Sequence, residues 1–318
     1  PIDTAKVDWK ALNAKPASEM VINLGGKSVI YRNDIMILEM LNNISKEGWK
    51  RPIYYATTVG SDMYLNLRSQ FQLEGLSYRI TPGQVARPGV NTEIAFDNMV
   101  NKFKWGNVDD PKVYLDENNI RMCKTFRIMF TQLIVALMQE GKNDKALIAL
   151  NTCVEKLPGT NIPFEGESVT FGEMYYGLGQ PEKAKEVLGM IEDRAQRTIN
   201  WYNRLKPSQI ANCTNEIAEN FDILLRVASI YNNNGETEKY NNIITKLQSY
   251  AQLYFSVGSP SLGNFALKNM ADDAIRTYQL NEDSAFRSKH EVALQKTMQL
   301  MQQLSPGLLR EYYGGSPE

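Results

Sequence analysis

Glu140-Gly141-Lys142-Asn143-Asp144-Lys145-Ala146, Leu178-Gly179-Gln180-Pro181-Glu182-Lys183-Ala184 and Asn234-Gly235-Glu236-Thr237-Glu238-Lys239-Tyr240 are three versions of one pattern. Each runs glycine, two variable residues, an acid, lysine, then alanine or tyrosine. Glycine tolerates the left-handed backbone that ends a helix. The acid then falls in the first turn of a following helix, where the helix dipole favours it. Apolar residues flank the glycines at helical spacing. Phe130, Leu133, Ile134 and Leu137 precede Gly141, and Leu147, Leu150 and Cys153 follow it; Leu224, Val227, Ala228 and Tyr231 precede Gly235, and Ile243, Ile244 and Leu247 follow it. Three helical hairpins are therefore expected, the number that stacked repeats need to bury a common core. Gly179 lies 38 residues after Gly141 and Gly235 lies 56 after Gly179, which leaves room for an insertion near 200 to 215.

On these residues the second half resembles the tetratricopeptide repeat. Ala146 and Ala184 follow their glycines by five, and Pro158 closes the first hairpin, since proline cannot continue a helix. The usual tryptophan is missing, and Tyr240 stands where the third alanine would. The resemblance implies a groove lined by the first helix of each pair. Its candidate residues are Thr131, Val135, Met138 and Gln139, then Glu173 and Tyr176, then Asp222, Leu225, Ser229, Asn232 and Asn233. That set is polar and carries little Lys or Arg, so it suits an adaptable peptide surface and not a clamp for an acidic chain end. A fourth pair, at about 264 to 280 and 284 to 304, would cap the array with Met298, Met301 and Leu304 facing the stack.

Working outward, the first third mixes short elements. Ser28-Val29-Ile30-Tyr31, Pro52 to Val59 and Leu76 to Ile80 read as strands, being rich in β-branched and aromatic residues. Helical spacing follows Asp34 and recurs over 62–72 and from Ile94 to Phe103. The expected fold is mainly α with a smaller α+β N-terminal part. The expected domains are 1–118, α+β with short strands, and 119–318, a tetratricopeptide-like helical array with C-terminal capping helices.

The composition narrows the function. Of 318 residues, 43% are apolar and 22% charged, which supports a packed core; 35 Lys and Arg against 36 Asp and Glu leave a net charge of −1 and argue against a nucleic-acid partner. The apolar run from Phe126 to Met138 is interrupted by Arg127, Thr131 and Gln132 and is too short to span a bilayer. The chain opens on Pro1 and not Met, so it is expected to be a piece of a longer protein whose targeting or membrane segment lies elsewhere. Cys123, Cys153 and Cys213 are too far apart and His290 too isolated for a zinc site, and no cofactor or metal is expected. No nucleophile elbow, phosphate loop or dinucleotide fingerprint occurs. His290, in a charged stretch, reads as exposed, and no catalytic residue is assigned.

Two strings stand out as ligand or domain-junction candidates. Trp49-Lys50-Arg51-Pro52-Ile53-Tyr54 sets aromatics beside two cations, so Trp49 or Tyr54 could stack on a sugar while Lys50 and Arg51 meet an anion. The plainer reading is an aromatic core strand with a solvated basic entry. Lys102-Phe103-Lys104-Trp105 has the same look, with Trp105 expected to cover a junction. Asp34, Glu39, Asp62, Glu74, Asp109, Asp110 and Asp116 read as caps and solvated acids.

Tyr31-Arg32-Asn33-Asp34, Trp49 to Tyr54, Leu73-Glu74-Gly75-Leu76-Ser77-Tyr78-Arg79, Lys102 to Gly106 and Tyr114-Leu115-Asp116-Glu117 together resemble the region after the membrane spans in a bacterial multi-pass family. That family is similar to protein O-mannosyltransferases. The resemblance implies a parent in the inner membrane that moves sugar from a lipid carrier to secreted protein. No position here matches the catalytic acid of such enzymes. The chain would then be the periplasmic, non-catalytic part, with a protein or peptide and its own membrane domain as partners. Three readings follow: a docking or supporting domain, an independent carbohydrate-binding module using the α+β half, or an enzyme with its site between the halves.

Overall fold

In a computed structural model, residues 2–24, 27–85, 89–280 and 284–312 are described, with side chains for all of these except 277–280 and 284–290. His290 therefore lies outside the described side chains. The elements are α1 (Arg32–Lys46), β1 (Tyr54–Ala56), β2 (Phe71–Leu73), β3 (Ser77–Ile80), α2 (Thr92–Phe96), α3 (Glu117–Gln139), α4 (Asn143–Lys156), α5 (Val169–Gly177), α6 (Pro181–Tyr202), α7 (Pro207–Ile210), α8 (Thr214–Asn233), α9 (Thr237–Ser256), α10 (Pro260–Leu280), α11 (Ser284–Leu304) and α12 (Pro306–Tyr312). The chain is mainly helical, with a small sheet near its N-terminus. It divides into two compact units, residues 1–162 and 163–318. The last strand ends at Ile80 and the long helices begin at Glu117, and the first compact unit runs on to Ile162, taking in the α3–α4 hairpin. No helix among the described residues is long and apolar enough to cross a membrane.

In the first unit the sheet order is β1-β3-β2, all antiparallel, with Tyr55 opposite Tyr78 and Phe71 opposite Ile80. Tyr55, Tyr64, Phe71 and Tyr78 form an aromatic cluster with ring centroids 4.9 to 5.6 Å apart. Leu41 and Ile44 of α1 and Trp49 join the same core. Two local expectations are overturned. Ser28–Tyr31 is not a strand: residues 28–31 are exposed, and the Tyr31 N–H is taken by Asp34 Oδ2 at 3.0 Å in the cap of α1. Residues 62–72 are not one helix, because Leu65 and Asn66 both adopt positive φ (50° and 58°); two short 3-10 turns lead instead into β2.

After α2 a single π-helical segment, Asp97–Lys102, leads to Trp105, whose ring stacks on Phe130 at 5.9 Å and meets Phe126 edge-on at 6.2 Å. Arg127 of α3 is fully buried and donates to the carbonyls of Leu157, at 2.8 Å, and Ile162. It thus pins the chain that leaves α4. The turn between α3 and α4 is tied to α2 by Glu93, which pairs with Lys142 at 2.7 Å and Lys145 at 2.6 Å. These two lysines hold the Glu93 carboxyl down at about 2.

The second unit repeats one packing step. α5 pairs with α6, α8 packs on both and pairs with α9, and α10 packs on α8 and α9 and pairs with α11. The long gap between the second and third glycines is filled by a 22-residue α6 and the short α7. Gly141, Gly179 and Gly235 take φ of 72°, 70° and 79°. In each, the glycine N–H reaches the carbonyl three residues back and the next N–H reaches five back, as from Glu236 to Tyr231 at 2.9 Å. These two hydrogen bonds satisfy carbonyls that a helix end leaves open. The recurrent lysine also finds its reason. Lys183 lies 6.0 Å over the Tyr175 ring and Lys239 lies 5.2 Å over Tyr231, one turn either side of the glycine. In the first hairpin Leu137 offers no such ring, and Lys145 sits over Phe96 instead. Met301 is fully buried in α11, while Met298 and Leu304 are half-buried.

Candidate functional site

A cavity of about 480 Å³ lies between α5, α8 and α10 of the second unit. Each of these is the first helix of its hairpin, so side chains one helical turn apart on each helix point to a common space. Five residues chosen from sequence line it: Glu173 from α5, and Asp222, Leu225, Ser229 and Asn233 from α8. Two others do not line it. Asn232 is buried on α8, 1% exposed, and the Tyr176 hydroxyl is buried. Burial first, then the negative charge of Glu236, raises the pKa of that Tyr176 hydroxyl. Thr131, Met138 and Gln139 lie on α3 in the first unit. Thr131 Oγ1 donates to the Arg127 carbonyl at 3.0 Å, Met138 is half-buried and Gln139 is exposed.

The rest of the cavity was not foreseen. Val169 of α5, Arg226 and Ile230 of α8, and Asn269, Asp272, Asp273 and Arg276 of α10 complete it. Ser229 Oγ donates to Asp273 Oδ1 at 2.5 Å, and Arg276 Nη2 reaches the same oxygen at 3.0 Å. Arg226 Nη1 is spent on the Gly166 carbonyl at 3.1 Å. Asp272 accepts from the Tyr312 hydroxyl at 2.5 Å. One signal could have pointed here: Asp273 is an acid buried beside the apolar residues Ala266, Leu267, Met270 and Ala274 of α10. An acid in such surroundings must be hydrogen-bonded or solvated. The glycine pattern used to align the hairpins does not extend to α10.

In the first unit the aromatic candidates are engaged within the fold. Trp49 is 5% exposed, so its ring lies in the core and not on a face open to a sugar. Its backbone φ of 59° follows the φ of 69° at Gly48, a double left-handed step that swings the indole inward. Lys50 is exposed, and Arg51 is exposed and paired bidentately with Glu47 at 2.7 Å. Tyr54 donates its hydroxyl to the buried Glu74 at 2.7 Å, and Arg79 lies 3.5 Å from the other carboxylate oxygen. Burial and then Glu74 push the Tyr54 hydroxyl up to about 12. Trp105 is half-buried against Phe103, Phe126 and Phe130. Asp34, expected to open a helix, is fully buried and bonded to Lys27 at 2.8 Å; that bond, with the Tyr31 N–H, lowers its pKa. None of the three cysteines is in a disulfide; Cys123 and Cys153 are buried and Cys213 is half-buried. Among the described residues no three His, Cys, Asp or Glu side chains gather where a metal could be held.

No curated protein and no solved structure matches the chain. Residues 1–99, which hold α1, the sheet and α2, match the family model described as TMEM260-associated domain 2, so this part of the chain fits a TMEM260-like family.

Proposed function

We propose that this chain is a non-catalytic docking domain of a membrane glycosyltransferase-like parent, and that its second unit receives an extended segment of the acceptor protein. The observation that carries this reading is the cavity built by the first helices of three consecutive hairpins, where Glu173, Asp222, Ser229 and Asn233 converge. First helices lining one concave side is the arrangement tetratricopeptide-type arrays use for peptides. The match of residues 1–99 supports the link to a membrane-associated parent. The resemblance to protein O-mannosyltransferases supports a periplasmic setting and glycosyl transfer by that parent. The test is a Glu173→Lys/Asp222→Lys double variant of the full-length parent. Both side chains are exposed, so the variant folds. Acceptor glycosylation should fall by about tenfold, a change of about 1.4 kcal/mol in docking. Unchanged glycosylation at wild-type protein levels would refute the docking role.

A second reading, support of the parent's membrane domain, has its own observation. Val29, Ile30, Tyr31, Ile35, Met36 and Met40, on and before α1, are each 45% to 65% exposed. Six exposed apolar side chains within twelve residues form a patch of the kind that marks an interface. Serine at Ile35, Met36 and Met40 should leave the isolated chain folded and destabilise the full-length parent in detergent. Equal stability of parent and variant would remove this reading.

A further inference from the structure

Lys27-Ser28-Val29-Ile30-Tyr31-Arg32 sets three apolar residues between two cations. The segment forms no strand, and Val29, Ile30 and Tyr31 are each 49% to 59% exposed. Three consecutive apolar side chains gain by folding back onto a nearby core. A clamp holds these out. Asp34 is fully buried; its Oδ1 accepts from Lys27 Nζ at 2.8 Å and its Oδ2 from the Tyr31 N–H at 3.0 Å. One carboxylate thus ties down both ends of the segment and leaves its middle projecting. A buried ion pair adds little net stability, so what this one fixes is the shape of the loop.

Whatever meets the loop must be apolar where the tip enters and negative around it. α1 packs Ile37, Leu38, Leu41 and Ile44 on the core, yet also exposes Ile35, Met36 and Met40, which continue the apolar surface of the loop. A helix apolar on both sides wants a second apolar medium. Arg32, Lys46 and Lys50 are exposed and have no ion pair among the described residues. Residues 27–51 hold five Lys and Arg against three Asp and Glu, a net +2 in a chain whose net charge is −1. An apolar tip, then a tyrosine, then a free cation is also the order of depth in a bilayer: acyl chains, interface, acidic headgroups. We propose that Ser28–Tyr31 is a lipid-inserting loop that seats the first unit on an acidic bilayer surface. This rests on the support reading above, which turns the same side of α1 toward the parent's membrane domain, and it names the lipid beside that domain as the loop's own partner.

The experiment has two arms. In the first, the purified chain is floated with vesicles of phosphatidylcholine, alone and with phosphatidylglycerol added. In the second, it is tethered to the same vesicles by a terminal histidine tag on nickel-chelating lipid, so that weak insertion is still read. On the tethered chain, an Ile30→Trp variant should be quenched by lipids brominated in their acyl chains, beyond the quenching of the unaltered chain. Val292→Trp, at an exposed site of the second unit, should not be. Val29→Ser/Ile30→Ser should weaken flotation by about tenfold, and Arg32→Gln by a few-fold on acidic vesicles alone. Asp34→Asn, which loosens the clamp and leaves the tip's composition intact, should also cost a few-fold. The tip variants, on exposed side chains, keep the test independent of how well Asp34→Asn folds. Ile30→Trp left unquenched on the tethered chain would overturn the loop, and so would flotation that survives Val29→Ser/Ile30→Ser unchanged. If serine at Ile35, Met36 and Met40 destabilises the parent in that case, a protein surface covers the patch and the support reading stands. If the loop inserts while the parent ignores those serines, the support reading falls and the loop keeps its lipid.

Discussion

The hairpins of the second unit and the sheet of the first gather their aromatic residues in opposite ways. In the hairpins, Tyr175 and Tyr231 meet lysines eight residues away, across a glycine turn that recurs in the same form. In the sheet, Tyr55, Tyr64, Phe71 and Tyr78 come from two strands, the end of a third and a left-handed turn, and no two are neighbours in sequence. Local devices repeated along a chain tolerate loss of one copy, whereas a single non-local cluster has no second copy to fall back on. Substitutions should therefore cost most in the sheet core and least at the repeated turns.

The largest expected effect is at Trp49. Truncation to alanine in a core this closed should cost about 3–5 kcal/mol, read by chemical denaturation. A loss below about 1.5 kcal/mol would mean that the two classes of site do not differ. Next comes Gly172 on α5, where an added Cβ would lie 2.5 Å from Leu188, itself fully buried on α6. Gly172→Val should cost about 2 kcal/mol by overpacking. Gly189, inside α6 with open space around it, gives the opposite sign: Gly189→Ala should stabilise by roughly 0.5–1 kcal/mol. Gly235→Ala, which must hold φ near 79°, should cost about 1–2 kcal/mol. A far larger loss there would show that the hairpins are as interdependent as the sheet.

The smallest effect is electrostatic and sits in the first unit. The folded-state pKa of Glu93 is depressed to about 2, so its pairing stabilises the fold above the ordinary carboxylate range and is lost as pH falls from about 4.5 towards 2. The side chain is 62% exposed, so the contribution should stay below about 1 kcal/mol and shrink in salt. Glu93→Gln should flatten that part of the stability–pH curve. An unchanged acid limb would dismiss the link between α2 and the α3–α4 turn.

Legibility in the sequence follows the same division. The hairpins could be read because glycine, acid, lysine and apolar spacing all act within one or two helical turns. β3 and much of β1 could be read from their β-branched and aromatic residues. β2 could not: Phe71-Gln72-Leu73 is three residues long, and only pairing with β3 and the turn at Leu65–Asn66 make it a strand. Ser28–Tyr31 has strand composition but no partner strand, and the Asp34 cap claims its last residue. At the cavity, the α5 and α8 contributions came from counting back from the glycines. The α10 contribution did not, since Asp273 gains its meaning from Ser229, 44 residues earlier in the chain.

The burial of Trp49 has a spectroscopic consequence. Trp9, Trp49 and Trp105 all belong to the first unit and are shielded to different degrees, while Trp201, the one tryptophan of the second, is 58% exposed. Indole emission should therefore start blue and shift red as the first unit unfolds, with Trp201 contributing a solvated background throughout. Far-UV ellipticity draws on every helix, α1, α3 and α4 of the first unit included, and would track both units together. Comparing the two optical channels in one denaturation experiment would thus show whether the first unit unfolds with the rest of the chain or apart from it, without any added label.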